Sequence, residues 1–271
     1  MKVVAIVPVY GANKEVPKEF IRNLRDCSAV VIVEAGDHGP GVTKEGKNLF
    51  RVYVPKDFYW AKSVNAGIKV SFLCWGMPGY FLLMNADTTF KRDLVSVLVR
   101  EAEMARSIVQ PITLRPDRSV WMSGGYVSWL FGDLCFIRAM KWREPDWLSA
   151  QGMLIPGEAI DDVGLMDAKH FPQYMADAEW SMRAKEKGWM LNVVSNAVII
   201  NHPESCAHLE ECRRSFFGPF FSVRSSFYLP ARFALLVKHW PWWGVVPAFA
   251  GFLLKAGLIQ IARKLKWLPS T

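Results

Sequence analysis

The 271-residue sequence contains no Cys-x-x-Cys pair, and its five cysteines, Cys27, Cys74, Cys135, Cys206 and Cys212, are odd in number and widely scattered. A chain of this size buries a core without covalent staples, so the pattern speaks against a disulfide scaffold and for reduced thiols in the cytoplasm. The N-terminal segment is not expected to act as a signal peptide. The apolar run Val3–Val7 meets Pro8 and has no small-residue cleavage site, so it reads as a first strand. No internal repeat and no low-complexity segment is present. The apolar stretch at residues 244–254 is broken by Pro247 and stops at Lys255, short of the roughly 20 residues that a spanning helix needs. Acidic residues are the scarcer charge, 25 against 33 basic, and the net charge of +8 favours a polyanionic partner: nucleic acid, a nucleotide diphosphate or an acidic membrane surface.

Apolar β-branched runs are expected as strands at residues 3–7, 29–33, 49–54, 81–84, 107–114 and 191–200, with helical spacing between them at 18–26, 60–68 and 93–106. Such alternation predicts an α/β fold with a mostly parallel, doubly wound sheet. Residues 142–160, rich in proline, glycine and tryptophan without a clear period, are expected to form a mobile or acceptor-side loop. The composition changes at Phe216, where aromatic and basic residues begin to interleave. Residues 1–215 are therefore read as a catalytic domain and 216–271 as an amphipathic helical extension lying in a membrane interface.

In the run Phe81-Leu82-Leu83-Met84-Asn85-Ala86-Asp87 a buried strand ends abruptly in polar residues, and ligands of open α/β sheets collect at such carboxyl ends. A carboxylate at Asp87 is placed to hold a divalent cation, Mg²⁺ or Mn²⁺, that neutralises a diphosphate. Asp177, near the start of an expected helix, is a candidate general base, with helix capping as the alternative role.

The order of several pieces resembles the family 2 glycosyltransferases of GT-A (Rossmann-like) fold, among them bacterial lipopolysaccharide and cell-wall sugar transferases. These pieces are Ile6-Val7-Pro8-Val9-Tyr10, Val33-Glu34-Ala35-Gly36-Asp37, the segment from Trp60 to Gly67, Asn85-Ala86-Asp87 at the DXD position, Gly132-Asp133, and Tyr174-Met175-Ala176-Asp177-Ala178-Glu179. The sequence departs from the pattern at Asn85, Ala86 and Ala176, where the family carries acids or a different spacer.

The resemblance implies inverting transfer of a sugar from a nucleotide-diphosphate donor to a hydroxyl of a lipid-linked or glycan acceptor, a hexosyltransferase activity, with Asp177 as base. Pro8, Tyr10, Glu34, Lys62, Asn65, Asn85, Ala86 and Asp87 would line the donor site, Asp87 and His202 would meet the metal, and Trp129, Asp133, Tyr174 and Glu179 would face the acceptor. Plainer roles stand beside these: a solvated turn for Glu34, packing for Tyr10, Trp129 and Trp147, and a cap for Asn65. A zinc site from His202, Cys206, His208 and Cys212 matches no common finger spacing. Arg213, Arg214 and Arg224 are candidates for diphosphate or lipid phosphate. The expected setting is the cytoplasmic face of a membrane, peripherally bound, with homo-oligomer formation through the C-terminal helices open and no nucleic-acid partner. The competing reading is a non-catalytic nucleotide-sugar-binding or membrane scaffold protein whose acids have been lost.

Overall fold

The structure is a computed structural model and describes residues 2–11, 15–139, 144–202 and 217–264. Its first half contains β1 (Val3–Tyr10), α1 (Lys18–Asn23), β2 (Ala29–Gly36), β3 (Gly41–Lys44), β4 (Leu49–Pro55), α2 (Trp60–Trp75), β5 (Tyr80–Leu83), β6 (Thr88–Phe90) and α3 (Leu94–Ala105). There follow β7 (Ser107–Leu114), β8 (Val120–Met122), β9 (Gly125–Ser128), β10 (Asp133–Phe136), β11 (Met153–Pro156), α4 (Gly157–Val163), α5 (Ala176–Glu186) and β12 (Met190–Asn201). Three helices complete the described chain: α6 (Gly218–Phe221), α7 (Leu229–His239) and α8 (Trp242–Lys264).

β1, β2, β5 and β7 are apolar and covered on both faces, as strands inside a parallel sheet must be, while β4 and β12 are covered only in part. They share one direction in a sheet of order β3-β4-β2-β1-β5-β11-β7-β12-β6, with β8 added to β7. β3, β11 and β6 run against the rest. All eight residues of β2 are buried. Its alternate side chains feed two cores: Val31 and Val33 belong to the one that also holds residues of α2, α5 and α7, while Val30 and Ile32 belong to the one that holds residues of α1 and α3. Helix α2 sits close on β1 because residue 67 is glycine; a Cβ there would lie 2.7 Å from Ile6 Cγ2.

Two expectations need correction, and one strand had not been expected. The stretch at 142–160, of which residues 144–160 are described, is no loop in its second half. Met153–Pro156 is the fully buried strand β11 at the centre of the sheet, and α4 follows directly. Four apolar residues among prolines, glycines and tryptophans are too short to register a period. Strand β3 is fully exposed and carries no apolar alternation to announce it. Finally, the apolar C-terminal run does not end at Lys255. It belongs to one 23-residue helix, α8, that continues through both Pro247 and Lys255 and is long and apolar enough to cross a membrane by length and composition. The boundary near residue 215 falls among undescribed residues. The helices beyond it place Ala231, Leu235, Leu236, Trp240 and Ala248 in the same core as β2 and α5.

Candidate active site

The carboxyl end of β5 carries the chain into a turn at Asn85-Ala86-Asp87, closed by the Thr88 hydroxyl donating to Asn85 O at 2.8 Å. β6 then pairs antiparallel with the end of β12, setting Thr88 against Asn201. That pairing delivers His202 to Asp87: the His202 backbone N–H donates to Asp87 O at 3.1 Å, and His202 Nε2 lies 3.2 Å from Thr89 Oγ1. On the other side the Trp60 indole donates to Asn85 Oδ1 at 3.4 Å. The first turn of α2 is tied to the residues before α5, with Trp60 N donating to Gln173 Oε1 at 3.2 Å and Ala61 N to Pro172 O at 3.0 Å.

Asp177 reaches the same end of β5 by a different route. Gly152 N–H donates to Leu83 O at 2.9 Å, and Ala150, two residues earlier, donates to Asp177 Oδ2 at 2.9 Å. Asp177 is the second residue of α5 and does not cap it; the residue at the cap is Met175, whose φ of 69° is a left-handed conformation that a long side chain rarely adopts. Gly152 opposite also has positive φ, and a side chain there would collide with Pro111 at 2.7 Å. Burial pushes the Asp177 carboxyl pKa above its ordinary value. The N–H groups of Ala150, Ala178 and Asp177 itself, with the Ser149 hydroxyl, pull it the other way without cancelling that rise. A carboxylate raised in this manner is a stronger proton acceptor than a fully solvated one.

On the neighbouring strand of the carboxyl edge Tyr10, the last residue of β1, stands exposed with the Arg224 guanidinium 4.6 Å above its ring. Pro8 is half-buried one pleat earlier, paired in register with Val33. Glu34 is buried rather than a solvated turn residue. It accepts from Arg51 at 2.6 Å and lies 3.0 Å from His38 Nε2. Lys62 is exposed, over the Phe58 ring at 5.3 Å and 3.9 Å from Asp57.

Other candidates are engaged elsewhere. Asn65 uses both ends of its amide on Met166, donating to its O at 2.8 Å and accepting from its N–H at 3.0 Å, so it clamps α2 to the segment before α5. Glu179, expected to face an acceptor, is fully buried and accepts from Arg183 and Lys238, each at 2.8 Å. Asp133 accepts from Arg232 at 2.8 Å and also from Lys255. Trp147 is core. Trp129 is exposed, its ring 4.7 Å from that of Trp240. Tyr174 is half-buried in a shallow dip between Pro172 and Tyr228. Cys206, His208, Cys212, Arg213 and Arg214 lie outside the described residues. Gln173 and the 149–151 segment, which support Trp60 and Asp177, carry no sequence signal that marks them.

Among the described residues no cluster of three His, Cys, Asp or Glu side chains forms a ready metal cage. Asp87 and His202 are brought together through the backbone, with the His202 ring against Thr89, and a carboxylate and an imidazole are donor types that a divalent cation accepts.

No protein family and no curated protein matches the sequence. Solved structures do. A mannosyltransferase from Pyrobaculum calidifontis in complex with GDP-Man and Mn²⁺ aligns at TM-score 0.53 and 14% identity over 99% of this chain and 81% of its own. TarS from S. aureus aligns at 0.52 and 14% identity, over 88% of this chain and 42% of its own. GalNAc-T7 with UDP, GalNAc and Mn²⁺ aligns at 0.51 and 10%, over 74% of this chain and 43% of its own. The chain thus spans less than half the length of two of these proteins. What the three share with it is architecture, and the fold of this chain is the GT-A fold.

Proposed function

We propose that the protein is a glycosyltransferase that moves a sugar, with inversion, from a nucleotide-diphosphate donor to a hydroxyl of a glycan or lipid-linked acceptor at the cytoplasmic face of a membrane. The observation that carries this reading is the position of Asp177: a half-buried carboxylate of raised pKa, held at the same sheet end as Asp87 and His202. The GT-A neighbours that hold UDP or GDP-Man with Mn²⁺ support it.

On this reading a carboxylate oxygen of Asp177 takes the proton of the acceptor hydroxyl as the acceptor oxygen bonds to the anomeric carbon. The bond from that carbon to the diphosphate breaks on the opposite side, and its electron pair leaves with the diphosphate. Asp87 and His202 would hold a divalent cation, Mg²⁺ or Mn²⁺, which when bound stabilises charge on the departing phosphate. On the same reading Tyr10, Glu34 and Arg224 would line the nucleoside and its phosphates. Trp60 and Gln173 fix the turn and the α5 approach, so that acceptor and donor meet in register.

A second reading, a nucleotide-sugar-binding scaffold without turnover, draws on Asn85, Ala86 and Ala176 in place of the family's usual residues. Replacing Asp177 by Asn separates the two. A transferase loses turnover about 10²–10⁴-fold while it still binds donor; in a scaffold there is no turnover to lose.

A further inference from the structure

Residues 212–271 contain no aspartate or glutamate, yet carry nine of the 33 lysines and arginines; the rest of the chain has 24 basic against 25 acidic residues. The whole positive balance of the protein therefore sits in the segment that forms α6, α7 and α8. Three of its cations, Arg232, Lys238 and Lys255, turn inward onto Asp133, Asp167 and Glu179 and fasten the helices to the globular part. Arg263, Lys264 and Lys266 lie close together in the sequence.

Helix α8 is apolar on both sides. Every fourth residue from Ala248 to Gln260 (Ala248, Phe252, Ala256 and Gln260) is buried against the protein. The opposite side exposes Trp243 at 68%, Val246 at 75%, Leu254 at 68% and Leu258 at 58%. A helix of that kind is unstable against water on its outer side.

The patch does not stop at the helix. The β9–β10 turn packs against it at Gly251, where a Cβ would lie 3.3 Å from Leu130 O and 3.5 Å from Phe131 Cδ1, and the Trp240 indole donates to Trp129 O at 3.0 Å. Leu130 is 74% exposed, and Trp129 and Phe131 are exposed beside it.

We propose that this face, α8 together with the Trp129–Phe131 turn, docks on the anionic surface of a lipid bilayer. α8 lies in the plane of the interface and Leu130 inserts beside it. Charge selects the occupant: an acid-free, basic and tryptophan-rich segment complements anionic headgroups. The contact of Lys255 with Asp133, at mid-helix, selects the orientation, because a helix crossing the bilayer would have to surrender that ion pair and the packing of Leu130 on Gly251. The docking extends the membrane setting proposed above and is independent of the transfer chemistry, since it is read by binding alone.

The test is flotation of the full chain with vesicles of phosphatidylcholine, with or without phosphatidylglycerol. The expected result is binding to the anionic vesicles at least about tenfold tighter than to the neutral ones, weakened by added salt and released by high-pH extraction. Leu254→Glu and Leu130→Glu should each lower it by roughly tenfold with the melting temperature kept. No vesicle binding, equal binding to neutral vesicles, resistance to extraction, or a dimer broken by Leu254→Glu in the absence of lipid would each overturn the proposal, the last by giving the face to a second copy of the chain.

Discussion

Lys238 of α7 donates to Glu179 Oε1 at 2.8 Å, and Glu179 lies two residues beyond Asp177 on α5. The C-terminal helices are thereby fastened to the helix that carries the proposed base. Arg183 is the second cation on this fully buried carboxylate. Removing one of the two leaves Glu179 half-compensated. Lys238→Met is expected to lower unfolding free energy by about 1–3 kcal/mol in denaturant titration. An unchanged midpoint would mean that the pair holds nothing together.

The raised pKa of Asp177 fixes the sign of the pH dependence. A base must be ionised to accept a proton, and a raised pKa keeps it protonated to higher pH. The acid limb of the turnover profile is therefore expected above the ordinary Asp value of about 3.9. A limb at or below that value, measured as turnover against pH at saturating donor, would remove Asp177 from the role.

Asn65 should behave as a structural residue. Asn65→Ala removes two hydrogen bonds that tie α2 to Met166, with an expected loss of about 1–3 kcal/mol of stability and an unchanged KM for the donor. A raised KM with an unchanged melting temperature would return Asn65 to the diphosphate.

Asp167 predicts acid sensitivity. Burial alone would raise its pKa, but hydrogen bonds from Lys238 and His170 outweigh that and hold it well below the usual range. A carboxyl lowered on folding adds stability above its unfolded pKa and loses that stability as pH falls through the lowered folded value. Asp167→Asn is therefore expected to lower the melting temperature at pH 7 and to shrink the gap to wild type in the acid range. A gap that stays constant with pH would contradict the linkage.

The parallel strands and the Asp87 turn are readable in the sequence because each is a continuous apolar run that breaks cleanly, and β7 spans the residues that its pattern predicts. Strand β11 is hidden by its length and β3 by its exposure. The roles of Asn65, Asp133 and Glu179 were not legible, because their partners lie far along the chain: Met166 is 101 residues from Asn65, Arg232 is 99 from Asp133 and Lys238 is 59 from Glu179. A carboxylate bound for an ion pair and one bound for a substrate look alike until the partner is placed. Asp177 was open between cap and base for the same reason: one carboxylate oxygen accepts from Ala178 N–H in the first turn of α5, and only the contact of the other with Ala150 ties it to the end of β5.

The account rests on a donor site at the carboxyl edge, and melting the protein against a panel of nucleoside diphosphates, with and without Mn²⁺ or Mg²⁺, tests that most directly. A ligand that binds only the folded state must raise the melting temperature, by about 5–10 °C at a hundredfold excess over Kd. The account predicts such a rise with one nucleotide when the cation is present, and its loss in Asp87→Ala. No rise with any nucleotide, or a rise that neither the cation nor Asp87 affects, would contradict it.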